Sequence, residues 1–182
     1  MTKAAVGKKL KDLRYQKNLT LKDVSDGTGI SISMLSKIER DETTPTIDLA
    51  IKLANFFELS ISEMVNIPEV KRVSKTQLEN LLSMNSEGGL TVQFFNKYSP
   101  DVNVDFFRII IPPGAGLVED TVHPAGSNHV LYCNSGTGVL SINKEEIPVT
   151  RGDVVSFNSD VPHNYQNAGQ EDLIFIGILT YK

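Results

Sequence analysis

Apolar and polar positions follow two different periods along this chain, and the change of period divides it. Between residues 6 and 65 apolar residues recur three and four apart: Val6, Leu10 and Leu13, then Ile47, Ala50, Ile51, Ala54 and Phe57 within "TIDLAIKLANFFEL". That spacing lines one face of a helix, so it predicts short amphipathic helices burying a shared core. Polar residues between them supply start signals. Thr20 with Asp23, and Ser60 with Glu63, have capping-box spacing. Pro45 stands between Thr44 and Thr46, either of which can cap a fourth helix. Gly27 and Gly29 cluster where a second helix must give way to a third.

After about residue 88 the period shortens to two. Runs such as "LTVQFF", "VDFFRIII", "HVLYC", "GVLSI", "DVVSF" and "LIFIGIL" are separated by "PPGAG", "NSGTG", "TRGD" and "NAGQ". Short strands broken so often by turn residues predict an all-β sandwich or barrel. The stretch 67–88, "IPEVKRVSKTQLENLLSMNSEG", reads as a joint, with a helical turn or two expected in "TQLENLLSM". The expected fold class is therefore two-domain α + β, with a helical unit over 1–66 and an all-β unit over 89–182.

Charge changes the picture more than composition does. The formal net charge of −4 over 182 residues conceals an asymmetry. Residues 1–22 carry seven bases (Lys3, Lys8, Lys9, Lys11, Arg14, Lys17 and Lys22) against one acid, Asp12, whereas residues 68–182 carry eight bases and thirteen acids. A basic leading segment ahead of an acidic remainder points to a polyanion met by the front end alone. The lone Cys133 excludes an intrachain disulfide and suits a reducing compartment. The longest uncharged apolar stretch, "LIFIGILTY", is too short to span a bilayer, and no apolar core with a cleavage site leads the chain. A cytoplasmic protein is expected.

The stretch "TLKDVSDGTGISISMLSKIER" has the order of a helix-turn-helix. A capped helix from near Leu21 ends at Gly27–Gly29, where positive φ is available; Ile30 plugs the angle and Ser31 caps the next helix. In that third helix Met34, Leu35 and Ile38 fall on one side, and Ile32, Ser33, Ser36, Lys37 and Arg40 on the other. The apolar side holds the helix on its domain, leaving the polar side to enter a major groove. Glu39 is expected to be structural, since a carboxylate aimed at a phosphate backbone is repelled.

Residues 6–65 resemble the lambda-repressor-like helix-turn-helix family, the xenobiotic-response-element type of bacterial and phage regulators. Within "GISISMLSKIERDETTPTI" the resemblance rests on Ser31, Leu35, Ser36, Ile38, Glu39 and Pro45; Asp41 departs from it, where many members have glycine. The resemblance implies a five-helix bundle binding double-stranded DNA. Ile32, Ser33 and Lys37 would then face base edges, with Ser36 nearby, while Thr20, Ser31, Arg40, Thr43 and the basic first helix contact phosphates. A lysine can donate to guanine O6 or N7, and an isoleucine can touch a thymine methyl.

The chain has three histidines: His123 and His129 in "TVHPAGSNHVLYCNSG", and His163 in "DVPHNYQN". The β half resembles the cupin family of small jelly-roll barrels, whose metal motif reads G-x5-H-x-H-x3/4-E-x6-G and then G-x5-P-x-G-x2-H-x3-N. The second part fits without gaps: Gly152, Asn158 for proline, Asp160 for glycine, then His163 and Asn167 retained. In the first part, anchoring on Gly136 sets His123 at the first histidine, Ala125 in place of the second, and His129 at the acid. A competing register sets Thr121 and His123 at the histidine pair and Asn128 at the acid but leaves Gly136 one residue out, so the first is preferred.

In the first of these registers all three histidines take ligand positions. Strand alternation would put Leu131 and Cys133 on the same inward face as His129, and Tyr165 and Asn167 on the face of His163. Those four are the candidate ligand-binding residues. Three neutral imidazoles suit a divalent transition metal (zinc, iron, nickel or copper) and leave coordination positions open for a small ligand. Histidines that are simply buried and hydrogen-bonded are the competing reading.

Together the two resemblances imply a transcriptional regulator, not an enzyme, whose barrel senses a small metabolite such as an amino acid. A homodimer paired through the barrel would read a near-palindromic operator. The alternatives are a metal-dependent cupin enzyme of thiol dioxygenase or isomerase type tethered to DNA, and a repressor responding to metal alone.

Overall fold

The computed structural model describes residues 6–67, 75–95, 103–117 and 121–182. Lys3 and the stretch "PEVKRVS" of the joint lie outside the described residues. Five helices come first: α1 (Val6–Gln16), α2 (Leu21–Thr28), α3 (Ile32–Glu39), α4 (Ile47–Phe57) and α5 (Ile61–Met64). Their starts are set locally. The hydroxyls of Thr20, Ser31, Thr46 and Ser60 each accept a backbone N–H of the helix that follows, and Asp23 and Glu63 close the two capping boxes. Val6, Leu10, Val24, Leu35, Ile38, Leu53 and Phe57 bury the shared core.

Two glycines in the helical unit have different tasks. Gly29 ends α2 at φ 71, the left-handed cap that turns the chain toward α3. Gly27 lies inside α2, and a Cβ there would stand 2.2 Å from the Phe56 ring, so it serves close packing and not the turn. Asp41, where the family carries glycine, has φ 56, the left-handed conformation that aspartate tolerates better than most side chains.

The described residues of the second unit form nine strands: β1 (Leu82–Asn85), β2 (Thr91–Phe94), β3 (Val104–Ile111), β4 (Asn128–Ser135), β5 (Thr137–Ile142), β6 (Glu145–Thr150), β7 (Val154–Asn158), β8 (His163–Asn167) and β9 (Leu173–Thr180). Six form one sheet in the order β1-β2-β3-β9-β4-β7, and three form another in the order β6-β5-β8. The helical turn expected in "TQLENLLSM" shrinks to a 3₁₀ turn at Leu78–Asn80. The rest is strand β1, because Leu82 and Met84 alternate inward against the barrel core while Asn85 faces out. Inward side chains from both sheets (Phe107, Ile109, Leu131, Leu140, Phe175, Leu179) fill the space between them.

The two units touch. Asp48 and Asn55 on α4 accept from the Glu87 backbone N–H and donate to the Val122 carbonyl, and the α5 amides of Ile61 and Ser62 meet Asp105 on β3. The buried cores of helices and barrel run into one another along this contact.

Candidate DNA-reading face and candidate metal centre

Helix α3 is held from behind by Leu35 and Ile38, both fully buried. Ile32, Ser33 and Lys37 are exposed on its other side, with Ser36 half-buried beside them. Ile32 is 47% exposed. The expected phosphate contacts are less uniform. Thr20 is engaged with Asp23 at 2.6 Å, and Ser31 caps Met34 at 3.3 Å. Arg40 forms a two-pronged pair with Glu42 at 2.6 and 3.0 Å and also meets the Ser36 hydroxyl. A phosphate at Arg40 has to displace Glu42. Thr43 is half-buried at the end of the turn.

Arg14 does not belong to the basic face. Its Nε and Nη2 reach Glu39 at 2.7 and 3.0 Å, and its Nη1 donates to the Leu19 carbonyl. The hydrogen bond to Glu39 is the main reason the guanidinium holds its proton more tightly than usual. Sequence reasoning grouped Arg14 with the lysines because the partner lies 25 residues away. Lys8, Lys11 and Lys17 remain exposed. Lys22 pairs with Asp26 on the surface.

In the barrel, His123 lies before β4, His129 on β4 and His163 at the start of β8. The three rings form a nearly equilateral triangle with centroids 5.1, 5.3 and 5.4 Å apart. One ring nitrogen from each lies within 4.8 Å of the others, and all three residues are buried. Three donors spaced evenly about one ion at about 2.1 Å stand about 3.4–3.6 Å apart, so the side chains have to draw in by about 1 Å to hold one.

Burial keeps His123 and His129 neutral. Burial, followed by the neighbouring His163, pushes His123 down to about 3, and burial followed by its two neighbours pushes His129 well below the ordinary range. His163 Nδ1 is 2.9 Å from the Val161 carbonyl, an acceptor that fixes the tautomer with its proton on Nδ1 and turns Nε2 into a donor for an ion. Tyr165 stands 3.4 Å from His129 Nδ1, and burial holds its phenol protonated. His123 Nδ1 and His129 Nε2 meet no hydrogen-bond partner among the described residues. Buried imidazole nitrogens left this way carry a desolvation cost that an ion or a water would relieve. The donor set fits a transition metal.

The cavity at the triad holds about 50 Å³ and is walled almost entirely by apolar side chains, with Thr121 and Tyr165 beside the histidines. Of the four candidate ligand residues only Tyr165 reaches it. Leu131 packs under Gly177, the Cys133 thiol lies 3.6 Å from the Ser135 carbonyl, and Asn167 bonds the Ile111 and Glu171 carbonyls and the Gly169 N–H. Those three support the barrel without lining the cavity.

Geometry also separates the two motif registers. Ala125 is exposed in the turn ahead of β4, whereas Thr121 lines the cavity and pairs backbone to backbone with His163. Thr121 and His123, two residues apart, both line the cavity, whereas Ala125 of the preferred register does not. Asn128 is exposed, and His129 takes the inward place one residue later. A longer turn accounts for the mismatch, which spacing alone did not reveal.

Residues 10–64 match the helix-turn-helix family, and residues 107–179 match the cupin domain family. The chain is similar to the HTH-type transcriptional regulator SutR of Escherichia coli (strain K12), 27% identical over 94% of this chain and 92% of the relative. It is similar to the HTH-type transcriptional regulator PuuR of the same organism, 26% identical over 90% and 88%. Among solved structures, an HTH_3 family transcriptional regulator from Vibrio cholerae superposes with a TM-score of 0.76 at 22% identity, covering 98% of this chain and 96% of that one, a likeness of fold.

Proposed function

We propose that this chain, which joins a helix-turn-helix domain to a cupin domain, is a sequence-specific DNA-binding transcriptional regulator whose barrel senses a small metabolite through a divalent transition metal on its histidine triad. The observation that carries the reading is the pairing of an exposed polar face on α3 with a buried, converging histidine triad in the same chain. Relatives named as regulators over nearly their whole length support the first half.

His123, His129 and His163 would hold the ion. When bound, the ion supplies Lewis acidity and open positions for a donor atom of the effector. Tyr165 orients His129, and the Val161 carbonyl orients His163. No described residue lining the cavity carries a carboxylate, which favours sensing over acid–base turnover. An amino acid, the effector class expected from the sequence, could place its carboxylate on the ion but finds no counter-charge for its ammonium group among the described lining residues. The outer face of the larger sheet exposes Phe106, Val130, Tyr132, Val154 and Ile178 on adjoining strands. We assign that face to a second copy, so that two α3 helices meet half-sites about one DNA turn apart.

Two measurements test the reading. Selection from random duplexes should enrich a near-palindromic site, and metal analysis of the purified chain should give one ion per chain, abolished in His163→Ala. No enriched sequence contradicts the regulator, and no metal in the wild type contradicts the metal centre.

A further inference from the structure

One side of the triad's cavity is walled by the helical domain itself. Ile47 and Ile51 of α4 and Ile61 of α5 wall it opposite Leu90, Val92, Phe107 and Ile109 of the barrel. Its 50 Å³ gives room for about three to five water-sized groups. Most metabolites are larger. Two polar contacts hold the lid in place on either side of His123. Asn55 of α4 donates to the carbonyl of the adjacent Val122 at 2.8 Å. Asp105, 1% exposed, accepts the first two N–H groups of α5, from Ile61 at 3.1 Å and Ser62 at 3.2 Å, and the Tyr181 hydroxyl at 2.7 Å. Those amides are the donors a helix start leaves without intrahelical partners, and a carboxylate there also suits the helix dipole. The Tyr181 ring stands edge-on to His123 with centroids 6.5 Å apart. Latch and triad are therefore neighbours.

We propose that the effector occupies this cavity, carries one donor head group on an uncharged apolar body, and binds at the expense of the contact between the two domains that Asp105 holds. The walls select the body: among the described lining residues, only Thr121 and Tyr165 offer it polar atoms beyond the histidines. The triad selects the head, and this part rests on the metal reading above. A body longer than the cavity drives Ile47, Ile51 and Ile61 away from the barrel mouth. Affinity for the separated arrangement is then what moves the DNA-binding domains.

The test uses the zinc-loaded full chain with straight-chain carboxylates from acetate to octanoate, and amino acids of matching length as counter-probes. Calorimetry should show affinity rising about threefold to fourfold per added methylene, with the amino acids weaker throughout. At saturation, hydrogen exchange of peptides covering α5 should accelerate at least tenfold. Asp105→Ala should show that fast exchange without ligand and bind octanoate several-fold more tightly. Tyr181→Phe should do the same to a smaller degree and serves if the first variant does not fold. A flat chain-length series, tighter binding of the amino acids, or α5 exchange unchanged at saturation overturns the proposal. Zinc absent from the wild type defeats the metal reading and with it the head group. The same series on metal-free protein then still decides the apolar cavity and its lid.

Discussion

Arg14 on α1 and Glu39 at the end of α3 form a two-pronged ion pair, 2.7 and 3.0 Å, on the buried side of the DNA-binding domain. With side chains only 12% and 8% exposed, the pair ties the basic helix to the back of the recognition helix. Removing one partner leaves the other charge poorly solvated. Glu39→Ala is expected to cost about 1–3 kcal/mol in urea unfolding, between an exposed pair and a fully buried one. The same pairing withdraws Arg14 from phosphate contact. Lys8→Ala should lower the slope of log affinity against log salt by about 0.9, and Arg14→Lys should leave it unchanged.

The barrel should lose stability in acid. Unfolded histidine takes up a proton near 6.5, whereas burial keeps folded His123 neutral down to about 3 and holds His129 well below its ordinary value. The unfolded chain therefore binds more protons below about 6.5, so stability is intact above that pH and falls as pH drops through it. His123 alone would contribute a loss of about 2 kcal/mol by pH 5. Asp105, whose carboxyl is raised by burial, works in the opposite sense and offsets part of the loss. Denaturation midpoints from pH 8 to 5 should fall, and His123→Phe should blunt the fall; a flat profile runs against a buried, neutral His123 and His129.

Thr121 offers a gain-of-function test. It lines the cavity two residues before His123, on the strand bridge that faces His163. Thr121→His should add a fourth imidazole and tighten zinc binding at least tenfold in a competitive chelator titration. Ala125→His, on an exposed turn, should change it little. Equal effects from the two substitutions would mean that the cavity register is misassigned.

What the sequence disclosed follows from how local each cause is. The caps at Thr20, Ser31, Thr46 and Ser60 act within one turn, so spacing revealed them. Alternation along β4 and β8 turned His129, Leu131 and Cys133, and His163, Tyr165 and Asn167, inward as expected. Depth along the barrel was not legible. Asn167 and Cys133 share the inward face with the triad yet lie beyond its cavity. The Arg14–Glu39 pair and the Asp105 latch span 25 and 44 residues and exist only once the helices and barrel have packed. The brief "LENLLSM" satisfies helix and strand periods alike, and pairing with β2 decided its end, from Leu82 on, for a strand while Leu78–Asn80 kept a 3₁₀ turn.

The central claim, that the exposed side of α3 reads bases, is tested most directly by the base preferences of Lys37→Ala on the selected operator. The variant should lose about 1–3 kcal/mol at one base pair in each half-site and discriminate less there, with affinity for unrelated duplexes barely altered. An unchanged footprint and unchanged preference at every position would contradict it.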